Sequence, residues 1–277
     1  IFGDQKINLR PVTTSKVEWF TADHEAALVR WRVFGQDRGA KSRPSEELST
    51  NEAQKAVVRV VTFGPGDRST AGTGFAIAPN LVLTNAHVVG DDPAASLVAV
   101  WDADSEYPRE ANAVIATDSR LDLALLYVRG VKAVPVTFSV VEPHQADSIS
   151  AVGFPMSTDL AFGRLTSHAS ITAGQITAID RGQVGPGSDV RLINHTGTIN
   201  PGNSGGPLYN SCGDVIGINT LRADPSRTSN VYLASSAAEI VPFLFSFGVT
   251  PQIAHLACPA KGAVIAGCIN DTADADK

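Results

Sequence analysis

The stretch Thr198-Ile199-Asn200-Pro201-Gly202-Asn203-Ser204-Gly205-Gly206-Pro207-Leu208 decides how this chain is read. Its centre sets one hydroxyl among residues that permit an unusual backbone path. Gly202 lacks a Cβ and can take a peptide orientation closed to other residues. That freedom lets its N–H and the N–H of Ser204 aim at a single point, the arrangement called an oxyanion hole, with Asn203 between them on the same loop. Gly205 and Gly206 allow another backbone to come close, and Pro207-Leu208 leads back into a strand.

A serine hydroxyl is a weak nucleophile unless a base takes its proton, and the base needs a group to orient it. Among His24, His87, His144, His168, His195 and His255, only His87 has a telling context. It follows GTGFAIAPNLVLTNA (residues 72–86), which reads as a hairpin turning at Pro79-Asn80 whose second strand ends in small residues and the histidine. The orienting acid is expected at Asp122, at the head of the apolar run Leu123-Ala124-Leu125-Leu126. A carboxylate carried towards an apolar interior is costly unless paired, so a histidine partner is expected. Asp118 sits among polar residues and reads as a solvated turn residue. The catalytic order is then His87, Asp122, Ser204, unlike the serine–acid–histidine order of the α/β-hydrolases. This chemistry calls for no metal and no organic cofactor.

Outward from these blocks, the chain consists of short apolar runs broken by Gly, Pro, Asn and Asp. Strands are predicted at Val57–Phe63, Gly74–Ala78, Leu81–Thr84, Leu97–Trp101, Ala113–Thr117 and Leu123–Val128. More follow at Ser148–Gly153, Ser170–Ile179, Val190–Asn194, Pro207–Tyr209, Val215–Thr220 and Val231–Ala234. Twelve strands exceed one small barrel, so the expected fold is all-β: two six-stranded antiparallel β-barrels dividing near residues 131–143. Ser235–Phe247 is expected as a closing C-terminal helix, with Pro242 limiting it or lying near a turn. Residues 1–54 form an N-terminal extension of unassigned role, in which Glu18–Phe34 has helical periodicity and Gly35–Thr50 reads as a linker. Residues 55–249 form the main domain, and 250–277 an acidic tail.

The bounds agree with this. At 277 residues, 43% hydrophobic and 18% charged, the chain has ample length and apolar content for a folded core. A net charge of -6 speaks against nucleic acid or a membrane surface as partner. The longest apolar stretch, Val231 to Val249, is interrupted by Glu239 and Pro242 and reads as an amphipathic helix, not a membrane span. Of three cysteines, Cys258 and Cys268 enclose a short loop and could pair in an oxidising compartment, leaving Cys212 over; three reduced thiols are the alternative.

GTGFAIAPNLVLTNAHVV, LDLALL and INPGNSGGPL, followed by Gly213-Asp214-Val215-Ile216-Gly217-Ile218-Asn219-Thr220, resemble the trypsin-like serine proteases, and among these the HtrA/Deg branch. The resemblance covers about residues 55–247. It implies a double-barrel endopeptidase in which Ser204 is nucleophile, His87 base and then acid, Asp122 orienter, and Gly202 and Ser204 the oxyanion donors. It further implies protein or peptide substrates, a secreted or periplasmic setting, and admits a homo-oligomer. HtrA proteins usually carry a PDZ domain, for which the residues after 249 are too few. Some relatives also hold the site latent, which would make the chain a binding or chaperone-like protein; Asn194–Pro201 and Gly182–Gly187 are the segments whose mobility would do so. An activation in which a freed Ile1 amine pairs with an acid before the serine is excluded, because Asn203 carries no charge.

By the same similarity Thr198 and Ile199 lie near the pocket for the residue before the scissile bond (P1), with Ile218, Asn219 and Thr220 on the facing strand. Ile199 and Ile218 equally fit ordinary core packing. No aspartate lies there to meet a basic P1, so small or medium apolar P1 residues (Val, Ala, Ile, Leu) are expected. His168 and His195, the two histidines that could otherwise receive an acidic P1, read as structural or surface residues.

Overall fold

The computed structural model describes residues 50–65, 68–90, 92–93, 96–102, 105, 107–162, 166, 168–220, 231–254 and 258. A short helix, α1 (Thr50–Ala56), leads into β1 (Val57–Phe63), β2 (Ser69–Ala78) and β3 (Leu81–Thr84). After the one-turn helix α2 (Ala86–Val89) come β4 (Leu97–Asp102), β5 (Arg109–Glu110), β6 (Ala113–Asp118) and β7 (Leu123–Tyr127). These strands make one seven-stranded sheet in the order β5-β4-β1-β2-β3-β7-β6. The predicted Pro-Asn turn joins β2 to β3, with Asn80 at φ 64, a conformation that asparagine tolerates better than most residues.

The second half begins with β8 (Thr137–Phe138) and β9 (Ser148–Gly153), then α3 (Met156–Phe162), β10 (Ser170–Gly182) and β11 (Val190–His195). It continues through β12 (Pro207–Asn210), β13 (Val215–Thr220), β14 (Tyr232–Ser236), α4 (Ala237–Ser246) and β15 (Gln252–Ile253). The order β12-β9-β10-β11-β14-β13, with β12 also paired to β13, closes six strands into a barrel. β8 and β15 add to it in parallel pairings on the far side of β13. The expected pair of barrels is therefore present in unequal form: a closed six-stranded one and an open, curved seven-stranded sheet.

Three apolar clusters organise the packing. Val58, Val60, Val82, Val100 and Leu126 fill the first barrel, and Ile149, Ile176, Ile193, Leu208 and Ile216 the second. The third lies between them: Phe75, Leu83 and Leu125 from the first half meet Phe138, Phe154 and Ile218 from the second, covered by Ile240, Phe243 and Leu244 of α4. Pro242 sits inside α4 rather than ending it. Burial of Ile240, Val241, Phe243 and Leu244 against both halves outweighs the hydrogen bond that a proline removes from a helix. Among the described residues, no helix is long and apolar enough to cross a membrane.

Two features depart from the sequence reading. Cys258 is bonded to Cys212, with Cα atoms 5.7 Å apart, and not to Cys268, which lies outside the described residues. The turn between β12 and β13 presents Cys212 to the chain emerging from β15, so proximity in the fold replaces proximity in sequence. The short α3 was also unforeseen. It is fastened by Arg59 of β1, which is 2% exposed, forms a bidentate ion pair with Asp159, bonds to Thr166, and lies 4.8 Å from the centre of the Phe154 ring. The periodic segment Glu18–Phe34 lies outside the described residues.

Candidate active site

His87 is the second residue of α2, where a helix leaves its N–H groups without an internal acceptor. Asp122 supplies one: its Oδ1 accepts the His87 N–H at 3.0 Å. The same carboxylate meets the ring, with Nδ1 2.8 Å from Oδ2 and 3.0 Å from Oδ1. An ionised carboxylate only accepts, so Nδ1 carries the proton and Nε2 is left with its lone pair. Oδ2 accepts a further bond from the Thr220 hydroxyl at 3.1 Å. Asp122 is 1% exposed and adopts φ 56, a left-handed conformation that is sparsely populated outside glycine. That conformation is held by Asn85, whose Nδ2 donates to the Asp122 carbonyl at 2.8 Å. Asp118, as expected, serves a turn, accepting the N–H groups of Arg120 and Leu121.

Ser204 belongs to the other half. The Asn203 N–H donates to Asn200 O at 2.9 Å, closing a four-residue turn with Pro201 second and Gly202 third. Gly202 has φ +101, the sign required at the third position of a type II turn and the reverse of type I. The type II form turns the Pro201–Gly202 peptide over. Its carbonyl accepts the Met156 N–H at 2.8 Å, so its own N–H faces the opposite way. Among the described residues, the N–H groups of Gly202 and Ser204 have no acceptor, whereas that of Asn203 is committed to the turn. Of the three residues named for the oxyanion hole, two therefore keep a free donor.

The glycines let the serine turn press against β2 and the end of β3, just before His87. A Cβ on Gly205, itself at φ +84, would lie 2.2 Å from Thr73 O and 2.4 Å from Thr84 Oγ1. The Thr73 N–H holds Ser204 O at 2.8 Å, and Asn219 binds the other side of the turn through its own N–H and carbonyl. Ser204 is thus brought beside the His87 turn at the seam of the two halves, where it is 5% exposed while the His87 side chain is 36% exposed.

The residues named for specificity scatter. Ile199 packs in the core of the second barrel and Ile218 in the cluster between the halves. Thr220 gives its hydroxyl to Asp122, so its place is with the acid. Asn219 is fully buried and donates from Nδ2 to the carbonyls of Gly206 and Pro207. Thr198 is exposed, with its carbonyl held by the Thr172 hydroxyl. His168 is exposed, whereas His195 lies wholly inside the second barrel. Burial pulls the His195 pKa down to about 4, so its ring is neutral at physiological pH. Within Gly182–Gly187, Val184 and Gly185 are buried: a Cβ on Gly185 would lie 1.9 Å from Ser119 O, and the Ser188 hydroxyl ties their N–H groups, whereas Pro186 and Gly187 are exposed. Among the described residues, no cluster of His, Cys, Asp or Glu could hold a metal ion.

Sequence reasoning missed the supports: Thr73, Asn85, the Met156 N–H and the Thr220 hydroxyl. The first and second stand inside the quoted motif GTGFAIAPNLVLTNAH, but only their contacts reveal what they do.

A model of the trypsin-like peptidase domain matches residues 72–218, and the chain belongs to that family. Its likeness extends to the HtrA/Deg branch. The serine endoprotease DegS of Escherichia coli is 32% identical over 195 residues, which cover 66% of this chain and 50% of DegS. Protein y4bJ of Sinorhizobium fredii is 34% identical over 195 residues, covering 67% of this chain and 29% of y4bJ. The active form of the Rv3671c protease from M. tuberculosis superposes with a TM-score of 0.61 at 24% identity, covering 80% of this chain and 96% of that one. The chain spans half or less of the length of these two curated relatives.

Proposed function

We propose that the chain is a serine endopeptidase whose nucleophile is Ser204. The observation that carries this reading is the Asp122 carboxylate gripping His87 at both its backbone N–H and its Nδ1, with the serine turn packed against the same strand end. His87 Nε2 takes the Ser204 proton as Oγ attacks the scissile carbonyl. The Gly202 and Ser204 N–H groups receive the negative charge that develops on the carbonyl oxygen. The amine leaves with the proton from His87, and water, deprotonated by His87, then releases the acyl group and restores Ser204. The type II turn, with both donors free, favours a site that rests competent over a latent, purely binding one.

The substrates are unfolded segments or peptides of proteins, cut after small or medium apolar P1 residues. Of the residues first named for that pocket only Thr198 is exposed, and it carries no charge to meet a basic P1. The Cys212–Cys258 disulfide supports an oxidising setting, outside the cytoplasm. The main domain is taken as residues 55–249. Ser204→Ala is expected to lower casein cleavage by about 10⁴-fold or more while the melting transition persists, and to abolish labelling by a fluorophosphonate. Comparable cleavage by that variant would refute the assignment. A peptide library cut at least tenfold better after Glu than after Val would overturn the P1 reading alone.

A further inference from the structure

We propose that Thr73 is the positioning residue that sets the oxyanion hole, acting from the opposite barrel; this rests on the reading of Ser204 and Gly202 given above. Thr73 stands in β2 of the first half and is fully buried. All of its polar groups are engaged. The N–H donates to Ser204 O at 2.8 Å, and the carbonyl accepts the Thr84 hydroxyl at 2.7 Å. Its own hydroxyl donates to Gly202 O at 2.7 Å and accepts the Phe154 N–H at 3.0 Å.

Gly202 lies between two peptide planes, and the orientation of the first decides where its N–H points. The outgoing plane, Gly202–Asn203, is held directly by the Thr73 hydroxyl. The incoming plane, Pro201–Gly202, is held by the Met156 N–H on Pro201 O. Met156 is only two residues from Phe154, whose N–H is bound by the same hydroxyl. One side chain thereby fixes both planes, the outgoing one by contact and the incoming one through the short step from Phe154 to Met156. With its donor and acceptor roles both used, the hydroxyl has one orientation left to it. The γ-methyl adds a steric stop, since a Cβ on Gly206 would come 3.2 Å from Thr73 Cγ2.

Valine has the shape of threonine without the donor or acceptor. In Thr73→Val, Gly202 O and the Phe154 N–H would be buried and unpaired, and the turn would gain by rotating to regain partners, taking the Gly202 N–H out of line. The full chain carrying Thr73→Val, Thr73→Ser or Ser204→Ala is assayed with a chromogenic peptide and with a peptide aldehyde, which forms an oxyanion when bound. Thr73→Val is expected to lower kcat about 100-fold, the scale of one lost oxyanion donor, with KM within about twofold. Aldehyde inhibition should weaken in parallel by about 100-fold, while binding of the cleaved product peptide is unchanged. Thr73→Ser, which keeps the hydroxyl, should stay within about threefold of the parent in kcat.

Should Thr73→Val fail to fold, Thr73→Ala against Thr73→Ser makes the same comparison. Parent-like kcat and aldehyde affinity in the variant without the hydroxyl would overturn the proposal. So would an equal loss in Thr73→Ser, or a loss confined to KM. If Ser204→Ala is inert in the same assay, these results bear on Thr73 alone; if Ser204→Ala is active, the reading of the site itself fails.

Discussion

The two halves contribute to the site in different ways. The first half holds its residues with side chains: Asp122 binds His87 twice and has its own carbonyl fixed by Asn85, and the second half adds only the Thr220 hydroxyl. The second half holds Ser204 by a tight backbone turn, through glycines packed so closely that a methyl group would collide with Phe154 O, Thr73 O or Val152 O, with Thr73 of the first half and the Asn219 amide adding side-chain bonds. A charge is involved in one case and steric exclusion in the other. The first kind of support fails when a proton or a donor is misplaced, the second when an atom is added. The buried ionisable groups repeat the contrast. Asp122 is surrounded by donors, whereas His195 of the second barrel is fully buried, and burial outweighs every other influence on its ring.

The strongest way to break this comparison is Asp122→Asn. It preserves shape but places an NH₂ where a lone pair is needed, favouring the wrong tautomer of His87. A fall in kcat of about 10⁴-fold is expected with the fold intact, measured by steady-state kinetics beside a thermal melt. A loss below tenfold would mean that the carboxylate does not set the tautomer.

Next comes Gly202→Ala, which adds one methyl group. The site has φ +101, and the new Cβ would lie 2.3 Å from Phe154 O, so the turn must change form and the Gly202 N–H must leave the hole. The expected loss is about 10² to 10³-fold in kcat, the magnitude of one oxyanion donor. A parent-like rate would show that the steric half of the comparison is wrong.

The smallest effect concerns stability rather than rate. His195 has a folded pKa of about 4 against about 6.5 when unfolded, so between these values the unfolded chain binds more protons. Its contribution is therefore fully favourable above about pH 6.5, declines as the pH falls, and levels off below about 4, a total of about 3 kcal/mol. Denaturant melts at pH 7 and pH 4.5 should show His195→Leu losing less stability on acidification than the parent chain. Equal losses in the two would show that burial does not hold down the His195 pKa.

Much of this was legible in the sequence because the strands are short, apolar and bounded by turn residues. β1, β3, β9 and β13 have the limits that their composition predicts. The two-residue β5, β8 and β15 have too little sequence to show any period. α3 escaped for a different reason. A short helix is recognised by an apolar stripe, yet Leu160 is 80% exposed and the helix is fastened by an ion pair from β1, one hundred residues away in sequence. α1 buries only Ala53 and Ala56, and such small residues write no pattern.

At the site, His87, Asp122 and Ser204 were each marked by local chemistry. Thr73 and Thr220 were not, because a threonine in a β-strand is ordinary and its role lies in what it touches across the seam. The cysteines were open for the same reason: the sequence offered a Cys258–Cys268 pair or three reduced thiols, whereas Cys258 pairs with Cys212, 46 residues away in the β12–β13 turn.

That disulfide closes a covalent ring containing β13, β14, α4 and β15, and hence both Thr220 and the helix that covers the seam. For the endopeptidase proposed above, the ring makes a single nick survivable. A cut anywhere between residues 213 and 257 divides the sequence but not the molecule, because the two pieces stay joined through Cys212 and Cys258.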